Sequence, residues 1–172
     1  FVAQRVLELQ EEDISLNDIA VLCRSARMTY NLEIELAKRA IPYRKFGGLK
    51  FIETAHVKDV IAHLRVVLNP NDIISINRIL LLLKGVGAQT AMKLLPVLAK
   101  DNLDTKNLML PAKSSDSIKK LFTTVETQRK YLLKPSTVVD NILAYYEPIL
   151  MEKYDDYPKR LKDLEHFRYL SE

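Results

Sequence analysis

Ile19-Ala20-Val21-Leu22-Cys23-Arg24 is the stretch on which the fold turns. Its unbroken apolar run, held between Asp18 and Arg24, has the pattern of a strand buried on both faces in a parallel sheet, where both sides of the pleat need apolar side chains. Upstream, Val2, Val6, Leu7 and Leu9 recur near a helical period over residues 2 to 11, and a polar break from Glu11 to Asp18 separates that helix from the strand. Downstream, Leu32, Ile34, Leu36, Ala37 and Ala40 predict an amphipathic helix over residues 29 to 40, opened by Thr29 and Asn31. Pro42 ends it, and Tyr43-Arg44-Lys45-Phe46 predicts a short second strand. The expectation is one right-handed, parallel βαβ unit.

Beyond Gly47-Gly48 the pattern changes. Leu49 to Ile52 leads into a helix from about Thr54 to Leu68, stopped by Asn69-Pro70-Asn71-Asp72. Helical periodicity then runs almost to the end, over Ile73 to Leu83, Gln89 to Ala99, Asp116 to Leu133, Thr137 to Tyr146 and Pro158 to Leu170. The fold class expected is therefore mainly α with a small α/β part, with a boundary near Asn69 to Asp72 dividing residues 1–70 from residues 71–172.

Composition narrows the chemistry. At 172 residues, 48% hydrophobic and 28% charged, the chain can bury one core or two small ones and is not a disordered tail. A formal charge of +4 permits an anionic partner without proving one. Cys23 is the single cysteine, which excludes an internal disulfide and suits a reducing, intracellular setting. The opening Phe1-Val2-Ala3-Gln4-Arg5-Val6 reads as mid-helix without a signal region, so the chain is expected to be an excised piece of a longer protein. Four glycines, in the pairs Gly47-Gly48 and Gly85/Gly87, give neither a phosphate-loop nor a dinucleotide-fingerprint spacing. His56, His63 and His166 lack a ligand-like arrangement, so no metal site is expected.

Several stretches agree, in order and spacing, with one family. Tyr43-Arg44-Lys45-Phe46-Gly47-Gly48-Leu49-Lys50-Phe51, His56-Val57-Lys58-Asp59 and Ala62-His63-Leu64-Arg65 through Asp72 closely resemble the superfamily 1 DNA helicases of the UvrD/PcrA/Rep group. Ile19 to Arg24 resembles the family's motif IV strand. Asn77-Arg78-Ile79 with Gly85-Val86-Gly87 and Thr90 resembles its G-I-G segment, and Arg160, Asp163, Leu164 and Phe167 its closing helix. The resemblance implies a partial RecA-like lobe 2A over residues 1–70, followed by most of the helical 2B insertion domain over residues 71–172. The implied whole is an ATP-dependent 3′ to 5′ DNA helicase, whose phosphate-binding lysine and Mg-binding acid belong to lobe 1A, outside this chain. ATP and Mg are thus cofactors of the longer protein. No cofactor, ATPase or unwinding activity is expected of the fragment.

Residue by residue, the resemblance makes Arg24 the catalytic and nucleotide-sensing arginine, aimed at a γ-phosphate as an arginine finger is; read alone, it is a surface Arg at a strand end. Cys23 replaces an aromatic residue common in relatives, and Ala26 and Met28 replace their polar N-x-Q. Gly47, Gly48 and Lys50 are implied contacts to a single strand. Phe51 is either a stacking face or core. Lys84, Gly85, Val86, Gly87, Gln89, Thr90 and Lys93 are implied contacts to duplex DNA, since paired glycines beside a helix N-terminus let N–H groups converge on phosphate; by spacing alone, a helix C-cap and turn is an equal reading. Lys58 and Arg65 read as a solvated face, and the tyrosines from Tyr131 to Tyr169 as core or domain contacts.

The implied partners are single-stranded and duplex DNA and lobe 1A of the same chain, with no membrane, and the implied location is the bacterial cytoplasm at the nucleoid. Two other readings stay open: a non-catalytic, regulatory DNA-binding helical module, and the motor part of a helicase-nuclease.

Overall fold

The computed structural model describes residues 1–47, 50–100, 102–105 and 108–169. Among the described residues, eight α-helices run in order: α1 (Val2–Glu11), α2 (Tyr30–Lys38), α3 (Ala55–Leu68), α4 (Ile73–Leu80), α5 (Ala88–Lys100), α6 (Ser115–Arg129), α7 (Pro135–Lys153) and α8 (Tyr157–Tyr169), with three short 3₁₀ turns before α3. They divide into two compact units, Phe1–Thr54 and Ala55–Glu172.

The expected βαβ unit is not there. Among the described residues no segment is a strand, so the partial RecA-like lobe with a small sheet, as expected from the sequence, is corrected to a helical fold. The run Ile19 to Cys23 is extended, with Ile19 at φ −101° and ψ 124°, but it pairs with nothing as a ladder. Instead of being buried on both faces, Leu22 is 95% exposed. Residues 43 to 46 likewise form coil. Two short extended segments are below what a sheet needs to be stable, because each strand must satisfy its backbone groups on a neighbour and bury a face against a second layer.

In the first unit, α1 and α2 pack through Ala3, Val6, Leu36 and Ile41, with Leu7, Leu16, Ile19, Leu32 and Tyr43 around them. Thr29 precedes α2, and Glu33 in its first turn suits the helix N-terminus.

In the second unit, α3 is the central helix and packs against α4, α6, α7 and α8. Val57, Val60, Val66, Ile76, Ile79, Leu80, Ile118, Leu121, Val125, Ile142, Tyr146 and Leu150 are fully buried there. Each such aliphatic side chain contributes about 1.5–3 kcal/mol on burial. Three helix ends differ from expectation: α6 stops at Arg129, short of Leu133, and the other two shift for local reasons. Helix α7 continues past Tyr146 and through Pro148 to Lys153, because it buries Leu150, and one lost backbone hydrogen bond weighs less than that packing. Helix α4 stops at Leu80, and Leu82 and Leu83 tighten into i to i+3 hydrogen bonds with Ile79 and Leu80 that lead the chain into Gly85.

Candidate nucleic-acid interface

The turn between α4 and α5 is built from both sides. Asp72 caps α4, accepting from the Ser75 N–H at 3.1 Å and the Ser75 hydroxyl at 2.7 Å, and these bonds, the backbone one first, lower its pKa. Ile76, Ile79 and Leu80 pin the same helix to the core. At its end, Leu83 and Val86 are buried while Lys84, Gly85 and Gly87 stay exposed. Gly85 has φ +81°, a backbone region that L side chains rarely adopt, and a Cβ there would lie 3.8 Å from Ser114 Cβ. Gly87 has nothing within 4 Å of a Cβ, so the approach to the first turn of α5 is open.

Of the residues named for this surface, Gln89 and Lys93 are exposed and Thr90 is half-buried, all on the first turns of α5, whereas Val86 is an anchor that faces the core. Lys84 is held in an ion pair with Glu152 of α7 at 2.7 Å, which raises its pKa. The arrangement can offer a phosphate backbone N–H groups, a helix N-terminus and exposed ammonium groups, without any base-reading side chain in a fixed orientation.

The candidates of the first unit are more dispersed. Arg24 is exposed and follows the unpaired extended run. Gly47 has φ +81° and open space around its missing Cβ, and Gly48 lies outside the described residues. Lys50 is half-buried with its Nζ 4.8 Å over the Tyr43 ring. Phe51 is 1% exposed, its ring 4.6 Å from that of Tyr30, so here it is a core residue.

Sequence reasoning missed the side chain that organises this region. The buried Glu33 carboxylate accepts from Thr29 Oγ1 at 2.6 Å, Lys45 Nζ at 2.5 Å, Tyr43 Oη at 3.4 Å and the Phe51 N–H at 3.1 Å. Burial pushes its pKa up, but the bonds from Lys45, Thr29 and Phe51 together win and lower it. The signal was present as an acid on the α2 face flanked by Leu32 and Leu36.

A second missed network lies inside the other unit and gathers the residues that carry the family resemblance. Asp59, 1% exposed, accepts from Arg78 Nε at 2.7 Å and from Tyr146 Oη at 2.6 Å, while Arg78 also donates to the Ala55 carbonyl. His63 donates from Nδ1 to the Asp59 carbonyl at 2.7 Å, and burial lowers its pKa to about 4. His56 Nδ1 accepts from Arg160 Nη1 at 3.2 Å, which leaves its proton on Nε2, 3.4 Å from Asp163 Oδ2. Burial lowers the His56 pKa too, against the pull of Asp163. Arg160 stacks 4.0 Å over the Tyr154 ring. These side chains tie α3, α4, α7 and α8 together: His56, Asp59, His63, Tyr146 and Asp163 are buried, while Arg78, Tyr154 and Arg160 are half-buried at the edge of the packing. Lys58 and Arg65, on the other face of α3, are exposed.

Residues 1–169 match the model of the UvrD-like helicase C-terminal domain. The chain is 30% identical to the ATP-dependent DNA helicase PcrA of Bacillus subtilis over 182 aligned positions, which cover 97% of the chain and 24% of that relative. It is 28% identical to a probable DNA helicase II homolog of Rickettsia conorii, over 91% of the chain and 26% of the relative. A shorter stretch of 81 residues is 41% identical to the ATP-dependent DNA helicase UvrD1 of Mycobacterium bovis, covering 46% of the chain and 10% of the relative. The chain thus spans about a quarter or less of the length of these relatives. With the family model matched over nearly its whole length, the chain belongs to the UvrD-like helicase C-terminal domain family.

Proposed function

We propose that this chain is part of an ATP-dependent 3′ to 5′ DNA helicase, and that its own contribution is to hold DNA. In this reading residues 71–172 belong to the 2B insertion, which grips the duplex at the α4–α5 turn, and residues 1–70 belong to lobe 2A, facing lobe 1A of the longer protein. The observation that carries it is the Gly85 turn: a left-handed glycine, an open Gly87 and the exposed Lys84, Gln89 and Lys93 at the start of a long helix. Such a surface binds phosphate without sequence preference and loses affinity steeply as salt rises. The single strand is assigned to Gly47, Gly48 and Lys50, with Phe51 supporting them from the core.

ATP and Mg would act in the longer protein. Among the described residues no cradle for a nucleotide forms: Arg24 is exposed, and the glycines lack phosphate-loop spacing. The isolated chain is therefore expected to hydrolyse no ATP, and Arg24 is assigned to complete the site in the longer protein.

Fluorescence anisotropy of a tailed duplex over a salt series tests the grip. Replacing Gly85 and Gly87 together by Ala should weaken binding roughly fivefold or more, since the left-handed turn is strained by a Cβ and the close approach is lost. If the double variant, shown to be folded by circular dichroism, binds as the parent does, the element is only a turn. For Arg24, Arg24→Ala in the full-length protein should slow ATP turnover with DNA affinity kept; unchanged turnover removes it from the site.

A further inference from the structure

Lys84 is not simply a solvated cation at the turn. Its Nζ lies 2.7 Å from Glu152 Oε1, a residue 68 positions later near the end of α7. Both side chains are largely exposed, 86% and 63%, so water reaches the pair from most directions. An ion pair between two exposed, long side chains adds little to the stability of the fold. Its main consequence is for what else the ammonium can hold.

A carboxylate oxygen and a phosphate oxygen ask the same of an ammonium: a short charge-assisted hydrogen bond and a neutralising charge. Gly85 and the open Gly87 approach lie directly beside Lys84, and the exposed Lys113 places its Cβ 3.9 Å from where a Gly85 Cβ would stand. An incoming phosphate therefore meets a mostly cationic rim in which one carboxylate already occupies the ammonium of Lys84.

We propose that Glu152 is a built-in competitor of the DNA backbone for Lys84, holding the ammonium in the free protein and giving it up to a duplex phosphate. The inference rests on the duplex reading of the α4–α5 turn. It makes Glu152, which no motif marks, the residue that sets how tightly this surface grips at low salt. Because the pair is exposed, a phosphate displaces it easily; because both interactions are screened, the effect of the competitor shrinks as salt rises.

The test is a double-mutant cycle on tailed-duplex binding by anisotropy, comparing the parent chain, Glu152→Gln, Lys84→Gln and the double variant, each shown to be folded by circular dichroism. Glu152→Gln should tighten binding about three- to fivefold at low salt, fading towards the parent value as salt is raised. In the Lys84→Gln background the same replacement should have almost no effect. Equal tightening in both backgrounds would overturn the proposal, since the carboxylate would then repel DNA generally and not through Lys84. Weaker binding by Lys84→Gln with no response to Glu152→Gln would also overturn it, while leaving the duplex grip standing. If Lys84→Gln binds as the parent does, Lys84 is not a DNA contact, and the duplex reading of that residue fails with the proposal.

Discussion

The two units of the chain place their apolar residues very differently. In Ala55–Glu172, helices α4, α6, α7 and α8 close around α3, α5 packs on α4, and many Val, Ile and Leu side chains reach complete burial. In Phe1–Thr54, two short helices share a small core, and much of the apolar sequence, including Val21, Leu22, Met28 and Phe46, is exposed. Both units contain a buried acid that collects hydrogen bonds, Asp59 in one and Glu33 in the other, yet the settings differ. Asp59 is locked between α3, α4 and α7, whereas Glu33 ties α2 to coil. A helix satisfies its own backbone and needs only one partner for its apolar stripe; an extended segment needs neighbours on two edges and two faces. The same density of apolar residues therefore closes a large core in one unit and only a small one in the other.

The largest expected effect breaks the second unit from inside. Asp59→Ala strands the Arg78 guanidinium and the Tyr146 hydroxyl without their shared acceptor, and should cost about 3–5 kcal/mol of the stability of that unit. Urea unfolding followed by far-ultraviolet circular dichroism would measure it. A loss under about 1 kcal/mol would mean that the network is solvated and does not hold the helices.

A pH series sharpens the contrast next. Burial holds the His63 pKa at about 4, against 6.5 for the unfolded chain, so the unfolded state binds the proton first as pH falls. His63 therefore contributes no pH dependence above about 6.5, and stability falls from there towards 4, by up to about 3 kcal/mol in total. Denaturant midpoints between pH 7 and 5 should shift downward in the parent chain. The shift should be smaller in His63→Asn, and an equal slope in both would take His63 out of the buried set.

The smallest effect tests the first unit. Leu22→Ser should change stability by no more than about 0.5 kcal/mol, because the side chain is already in water. A loss of 2 kcal/mol or more, on the order of a buried leucine, would show that this run is packed as the sequence pattern predicts.

Helix positions were legible because each carries its own periodicity and punctuation. Asn69 to Asp72 separates α3 from α4, and Gly85 to Gly87 separates α4 from α5. The glycine turn was legible as a candidate for the same reason: paired glycines in a glycine-poor chain mark a backbone that has to bend sharply, and Gly85 does so at φ +81°. The strand reading of Ile19 to Cys23 failed because a run of apolar residues states a need for burial and does not say whether neighbours exist to supply it. The buried networks were not legible either. Asp59, Arg78, Tyr146 and Arg160 are ordinary polar letters on separate helices, and nothing in their spacing says that they meet.

By itself the sequence determined the local choices: which residues are helical, where the turns fall, which family the motifs resemble, and that Gly85 and Lys84 stand together at one turn. These depend on contacts within a few residues, where backbone sterics and periodicity leave few alternatives. Only the tertiary structure decided that the apolar run before Arg24 lies unpaired and that Phe51 is core. It also decided that the motif acid Asp59 is spent on Arg78 and Tyr146, and that Glu152 reaches back to Lys84. Each of those outcomes depends on residues distant in the chain, and burial and charge pairing are properties of what folding brings close, which no local pattern contains.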